Sequence, residues 1–146
     1  MPERKKVNIV LDASWYISAC ISRSSRHTLY YKILKNPHIE VFYSRELLQE
    51  FEGVISRPKF RKIISYDQAI RFRSVSFLFL TSVVIKSIPK VVRDVKDDYL
   101  LGICESCHAD FLVTGDTDLL ILKSYGNTAV VTMNEFLQLL PSFASG

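Results

Sequence analysis

The sequence predicts an α/β protein, a three-layer α/β/α sandwich around a central, mainly parallel β-sheet. Three observations carry this expectation. Short apolar runs alternate along the chain with longer segments whose apolar residues recur at helical spacing, the order of successive βα units. The first run, VNIVLD (7–12), is short, apolar and ends in an acid, the form of a buried parallel-type strand. The 146 residues, nearly half of them apolar, contain no repeat, low-complexity segment or linker, so one domain is expected over 1–146, with its core at about 7–140.

In chain order, ASWYISACIS follows the first strand as a helix, and TLYYKILK is a second short helix closed by Asn36-Pro37. IEVFYS (39–44) alternates and is β-branched or aromatic, so it reads as a strand. Ser44 is placed to cap RELLQEFEGVI, whose Leu47, Leu48, Phe51 and Val54 share one face. Pro58 breaks that helix, and residues 65–82 read as a longer helix starting at Ser65. SVVIKSI (82–88) reads as a strand, and Asp97 and Asp98 open a further helix. DFLVTGD is a strand, TDLLILK a short helix, NTAVVT a strand and MNEFLQLL a closing helix.

One stretch inside this order points elsewhere. CESCH (104–108) has the C-x-x-C-H form of c-type haem attachment. However, Leu100, Leu101, Cys104 and Cys107 fall at helical spacing as an apolar stripe, and Cys is among the most buried residue types. Both cysteines are therefore expected in the core, with His108 capping the helix C-terminus as a cation and no haem bound. Cys20, His27 and His38 offer no paired spacing for zinc. An odd count of three cysteines argues against a disulfide framework. The basic start MPERKK leads into an apolar run too short for a signal peptide, and FLFLTSVVI is half the length of a membrane span, so a cytoplasmic protein without membrane association is expected.

The acids are the most informative residues. Asp12 ends the first strand and has no obvious capping duty, Asp116 follows another strand with Asp118 two residues on, and Asp97 and Asp98 open a helix. Glu46 and Glu50 share a face of the helix after the second strand, where Glu46 is expected on the solvated side. In open parallel sheets the ligand crevice lies outside the carboxyl ends of the strands, so these acids are expected on one rim. Two carboxylates about 5 Å apart repel by roughly 3 kcal/mol at an effective dielectric near 20. Several together hold protons or need a cation, and hard divalent ions such as Mg2+ or Mn2+ take oxygen ligands and serve phosphoryl chemistry. No Ser-His-Asp or Cys-His set competes, and no GxGxxG or P-loop is present among five glycines.

Four segments in this order, VNIVLDASWYISA, YSRELLQEFEGVISRPKF, DVKDDYLLGICESCHADFLVTGD and VVTMNEFLQLL, resemble the successive motifs of PIN-domain ribonucleases, nearest to the branch described as toxin components of toxin–antitoxin systems and related to VapC-type toxins. The resemblance covers about residues 7–140. It implies a Mg2+- or Mn2+-dependent endoribonuclease that uses metal-activated water and leaves 5′-phosphate and 3′-hydroxyl ends. Asp12, Glu50, Asp98 and Asp116 would be its catalytic acids. Asp97 and Asp118 would be additional metal ligands, and Ser14 and Thr114 supporting polar residues. The implied partners are RNA, a small antitoxin protein and a second copy of the chain. Before the Asp98 helix the family commonly reads Asp-Pro-Asp-Asp; here the segment is DVKDD, which adds the charge of Lys96.

A net charge of +4 around an acidic centre suits RNA. Arg45, Arg57, Lys59, Arg61 and Lys62 are the candidate phosphate contacts, while Tyr43, Phe60 and Tyr66 are expected mainly in the core. Two other readings compete. GDTD (115–118) suggests an Asp-x-Asp phosphatase, but that pair belongs after the first strand, where this chain has DAS. A non-catalytic RNA-binding scaffold, or a housekeeping RNA-processing nuclease, has the same charge pattern.

Overall fold

A computed structural model describes residues 6–88 and 98–144. Six strands form one sheet in the order β3-β2-β1-β4-β6-β5. They are β1 (Val7–Leu11), β2 (Ile39–Tyr43), β3 (Thr81–Ser82), β4 (Phe111–Val113), β5 (Ser124–Tyr125) and β6 (Thr128–Val131). All neighbours are parallel except β5 and β6. In the central strand Ile9, Val10 and Leu11 are all fully buried. Consecutive buried residues point to opposite faces of a sheet, so helices cover β1 on both sides, as the α/β/α expectation requires.

The helices are α1 (Ala13–Ile21), α2 (Arg23–His27), α3 (Arg45–Ile55), α4 (Pro58–Arg61), α5 (Tyr66–Ser76), α6 (Asp98–Cys107), α7 (Thr117–Leu120) and α8 (Met133–Ala144). A π-helical segment, Thr28–Leu34, stands where TLYYKILK predicts a helix. Ser44 caps α3 as expected, its hydroxyl accepting from the Leu47 amide. Thr132 and Glu135 form a reciprocal capping box at α8, and the amide of Thr132 draws the Glu135 carboxyl below its usual range.

Two local expectations are corrected and two are refined. The helix over 65–82 stops at Ser76, because the Phe77 ring turns in among Tyr16, Tyr43 and Phe51, with centroids 5.4, 5.1 and 6.0 Å away. A 3-10 turn, Phe77–Phe79, then redirects the chain into β3. The strand over 82–88 is confined to Thr81–Ser82; after the Val83 amide bonds the Tyr43 carbonyl, the chain leaves the sheet and passes close to α6. Gly102 permits that approach, since a Cβ there would stand 2.8 Å from Ile85 Cγ2 and 3.1 Å from the Ser87 carbonyl. Pro58 does more than interrupt a helix, as it occupies the first turn of α4, where its missing N–H costs nothing. The second refinement concerns His108. With φ of 53° it is the left-handed residue after α6, and the Ala109 amide reaches back to the Cys104 carbonyl. Its left-handed backbone closes the helix, in a position that usually selects Gly.

Cys104 and Cys107 are buried, as the apolar stripe predicts. Burial pushes the Cys107 thiol up to about 12 and that of Cys20 to about 11, and raises Cys104 as well. Among the described residues no helix is long and apolar enough to cross a membrane.

Tyr16 is fully buried and its hydroxyl has no hydrogen-bond partner among the described residues; burial alone raises its pKa. An unsatisfied buried hydroxyl costs about 1–3 kcal/mol. Tyr16→Phe is therefore expected to stabilise the fold by about 1 kcal/mol. Urea denaturation checks this, and a destabilised variant would mean that the hydroxyl has a partner.

Candidate active site

The order of the strands fixes where a site can form. From β1 the chain moves outward to β2 and β3, then returns to β4 on the other side of β1. The carboxyl ends of β1 and β4 therefore flank the point at which the strand order reverses, where ligand crevices open in such sheets. The register places Leu11 beside Val113, and the Asp12 amide donates to the Val113 carbonyl at 3.0 Å. Asp12 and Thr114 are thus the first residues past the ends of two adjacent strands.

Both loop acids are pinned by local backbone. Asp12 is the N-cap of α1, and its Oδ1 accepts from the Ser14 amide at 3.2 Å. Contrary to the sequence expectation it does have a capping duty, because α1 starts immediately after the strand. Asp116 caps α7 in the same way, its Oδ1 accepting from the Asp118 amide at 2.8 Å. Thr114, fully buried, connects the two. Its Oγ1 accepts from the Asp116 amide at 3.0 Å, which commits the hydroxyl hydrogen to Asp12 Oδ2 at 2.7 Å.

Asp12, Asp116 and Glu50 line one open cleft of about 450 Å³, with Ser14 and Gly115 between them. Glu50 comes from α3 and receives a hydrogen bond from the Tyr99 hydroxyl. Tyr99 is the second residue of α6, so this contact ties the start of α6 to the cleft. Neither Asp98 nor Asp118 lines the cleft. The Asp98 side chain is buried at 1 % exposure, and the Asp118 contribution is its backbone amide on Asp116. Asp97 and Lys96 lie outside the described residues. Glu46 is half-buried and away from the cleft lining.

The donor set suits a hard cation, since three carboxylates and no sulfur or imidazole face the cleft. Yet among the described residues no three Asp, Glu, His or Cys side chains stand close enough to hold one ion together. The described residues thus bring Asp12, Glu50 and Asp116 to one cleft without gathering them around a single point. The arrangement still fits Mg2+ or Mn2+ chemically, because Mg2+ keeps several waters and is bound through one or two carboxylates plus substrate phosphate.

The basic candidates divide by position. Arg45 is exposed in the first turn of α3, the turn before Glu50. Arg57, Lys59, Arg61 and Lys62 are exposed beyond the other end of α3, roughly 8 Å or more along its axis from Glu50. Phe60, inside that basic run, is buried, and Tyr43 packs edge-on against Phe77. Tyr66 departs from the core expectation, being 45 % exposed with the Arg61 guanidinium 5.3 Å from its ring centre.

Sequence reading missed Tyr99. The only signal was its place after the acidic pair that opens a helix, and nothing in the local pattern says that its hydroxyl faces α3. A larger cavity of about 690 Å³ lies at the amino ends of β4 and β6. In its lining the Tyr125 hydroxyl donates to Glu105 at 2.6 Å and the Thr128 hydroxyl to the Ala109 carbonyl at 2.6 Å.

The family model for the PIN domain matches residues 8–118, a span that includes every candidate acid. No curated protein matches the chain.

Thr114→Val keeps the shape but leaves the part-buried Asp116 amide without its acceptor, and should cost about 1 kcal/mol, whereas Thr114→Ser should cost less. Equal stability of Thr114→Val and the parent chain in urea would rule out the Asp116–Thr114–Asp12 relay.

Proposed function

The chain belongs to the PIN domain family, a family of nuclease type, and we propose that within it this protein is a Mg2+- or Mn2+-dependent endoribonuclease, acting as the toxin of a toxin–antitoxin pair. The observation that carries the reading is the meeting of Asp12, Glu50 and Asp116 on one cleft at the β1–β4 switch point. In this reading one or two of these carboxylates at a time would bind the ion, alongside water and substrate phosphate, and the Asp97-Asp98 pair is the further source of carboxylate that the resemblance implies. Bound metal would lower the pKa of a water and offset charge on the phosphate. Asp12 and Asp116 are held by Ser14, Thr114 and Asp118 before any ligand arrives, so little reorganisation opposes binding. Ser14 and Gly115 line the space left for the scissile phosphate.

Arg45 contacts the RNA backbone near the cleft, while Arg57, Lys59, Arg61 and Lys62 hold phosphates further along the strand. Tyr66, half-exposed beside Arg61, offers a face on which an unpaired base stacks. A small antitoxin and a second copy of the chain are the protein partners of this reading; Leu78 and Val84, 83 % and 84 % exposed, supply apolar surface for such contacts.

One observation favours a non-catalytic RNA-binding domain instead, namely that no three described acids surround a single point. Variants separate the two readings. Asp12→Asn and Asp116→Asn are each expected to lower Mg2+-dependent cleavage of single-stranded RNA by more than the roughly 10–100-fold typical of losing an outer-shell partner. Asn caps a helix about as well as Asp, so melting temperature should hold or rise. Cleavage at the parental rate in either variant would sink the assignment.

A second measurement addresses the basic patch. Lys59→Ala with Lys62→Ala is expected to weaken RNA binding, to leave kcat unchanged and to reduce the slope of log affinity against log salt by about 1.4, the amount for two lost single-strand phosphate contacts. An unchanged slope would remove these lysines from the RNA path.

A further inference from the structure

We propose that Tyr99 is a positioning residue that orients the Glu50 carboxylate for divalent-metal binding; the inference rests on the metal-dependent reading of the cleft. Glu50 stands on the exposed side of α3, while Asp12 and Asp116 leave strand ends. Those two acids are fixed by backbone amides within two residues of themselves and by Thr114. Glu50 has no such local anchor. It sits mid-helix, where every nearby amide is taken by the helix, and an unrestrained glutamate samples several rotamers. The group that restrains it comes from elsewhere in the chain, as the Tyr99 hydroxyl donates to Glu50 Oε2.

Tyr99 is suited to this duty. Its side chain is 8 % exposed in the core, and it belongs to a helix whose residues 98–104 are all buried. A rigid ring on a buried helix presents its hydroxyl at a defined point. A carboxylate has about four acceptor positions, so one phenol hydrogen bond leaves Glu50 room to bind metal. Partners of this kind typically contribute 10–100-fold in metal affinity or activity. Tyr99 touches neither phosphate nor metal in this assignment and acts only through Glu50.

The test is calorimetric titration of Mn2+ into the full chain and into Tyr99→Phe, Glu50→Gln and the double variant, with melting temperature measured for each. Tyr99→Phe keeps the buried ring, so the fold should melt as before while the Mn2+ dissociation constant rises about 10-fold or more. In the Glu50→Gln background the same change should add nothing further, since both act through one carboxylate. RNA turnover should show a lower kcat with KM unchanged. Loss of Mn2+ affinity in Glu50→Gln but not in Tyr99→Phe, or additive losses, would overturn the role of Tyr99 alone. Weaker Mn2+ binding by Tyr99→Phe in a protein that cuts no RNA would support Tyr99 and overturn the nuclease reading. A parent chain that takes up no Mn2+ would overturn both.

Discussion

The parallel pairing of β1 with β4 is the constraint on which the candidate site depends. These strands lie about 100 residues apart in the chain, yet the register Ile9–Phe111, Val10–Leu112, Leu11–Val113 leaves no freedom to the residues just past the strand ends. A slip of one residue would turn each buried side chain to the opposite face. Ile9, Val10, Leu11, Leu112 and Val113 are all fully buried, so such a slip would disturb both layers of the core at once. Burial of apolar residues in the middle of the sheet thereby sets the positions of polar residues at its rim. Asp12 and Thr114 meet because Leu11 and Val113 are packed.

At that rim each acid has two duties. Asp12 and Asp116 satisfy amides at the starts of α1 and α7, and the same carboxylates face the cleft. The structural duty also eases the electrostatic one. Each carboxylate sits against N–H dipoles at a helix start, which favour negative charge, and Asp12 takes a further hydrogen from Thr114. Local donors thus offset part of the repulsion between the acids. Glu50 lacks this support from its own helix, which makes its contact with α6 the long-range element of the cleft.

Much of this was legible in the sequence, and the exceptions have physical causes. The alternation of elements, the strand ends carrying Asp12 and Asp116, the Ser44 cap and the core placement of Cys104 and Cys107 all follow from local pattern. What local pattern misses is tertiary. The helix from Ser65 gives way at Phe77 because three aromatic rings from α1, β2 and α3 claim that side chain. SVVIKSI has strand composition, but only its start finds a partner before α6 draws the rest away. The edge strand β5 was not among the expected elements, although Gly126-Asn127 is a hairpin signal, with Gly126 at φ of 59° in the turn. Asp98 reads as the helix acid by position, yet its burial and its absence from the cleft lining separate it from Asp12, Glu50 and Asp116.

The CESCH segment shows how context decides the meaning of a motif. A haem-attachment loop must present both sulfurs to one face of a porphyrin, but here Cys104 and Cys107 are three apart on a helix and point into the core. There they act as small apolar residues, two and five positions on from Gly102, on the helix that lets residues 85–87 approach. The same helix carries Tyr99 near its other end. Its two ends therefore serve different purposes through one body: at one end Asn8 of β1 donates to the Cys107 carbonyl, and at the other the Tyr99 hydroxyl meets Glu50. Packing around the misleading motif is thus part of what holds the acid on α3 in place.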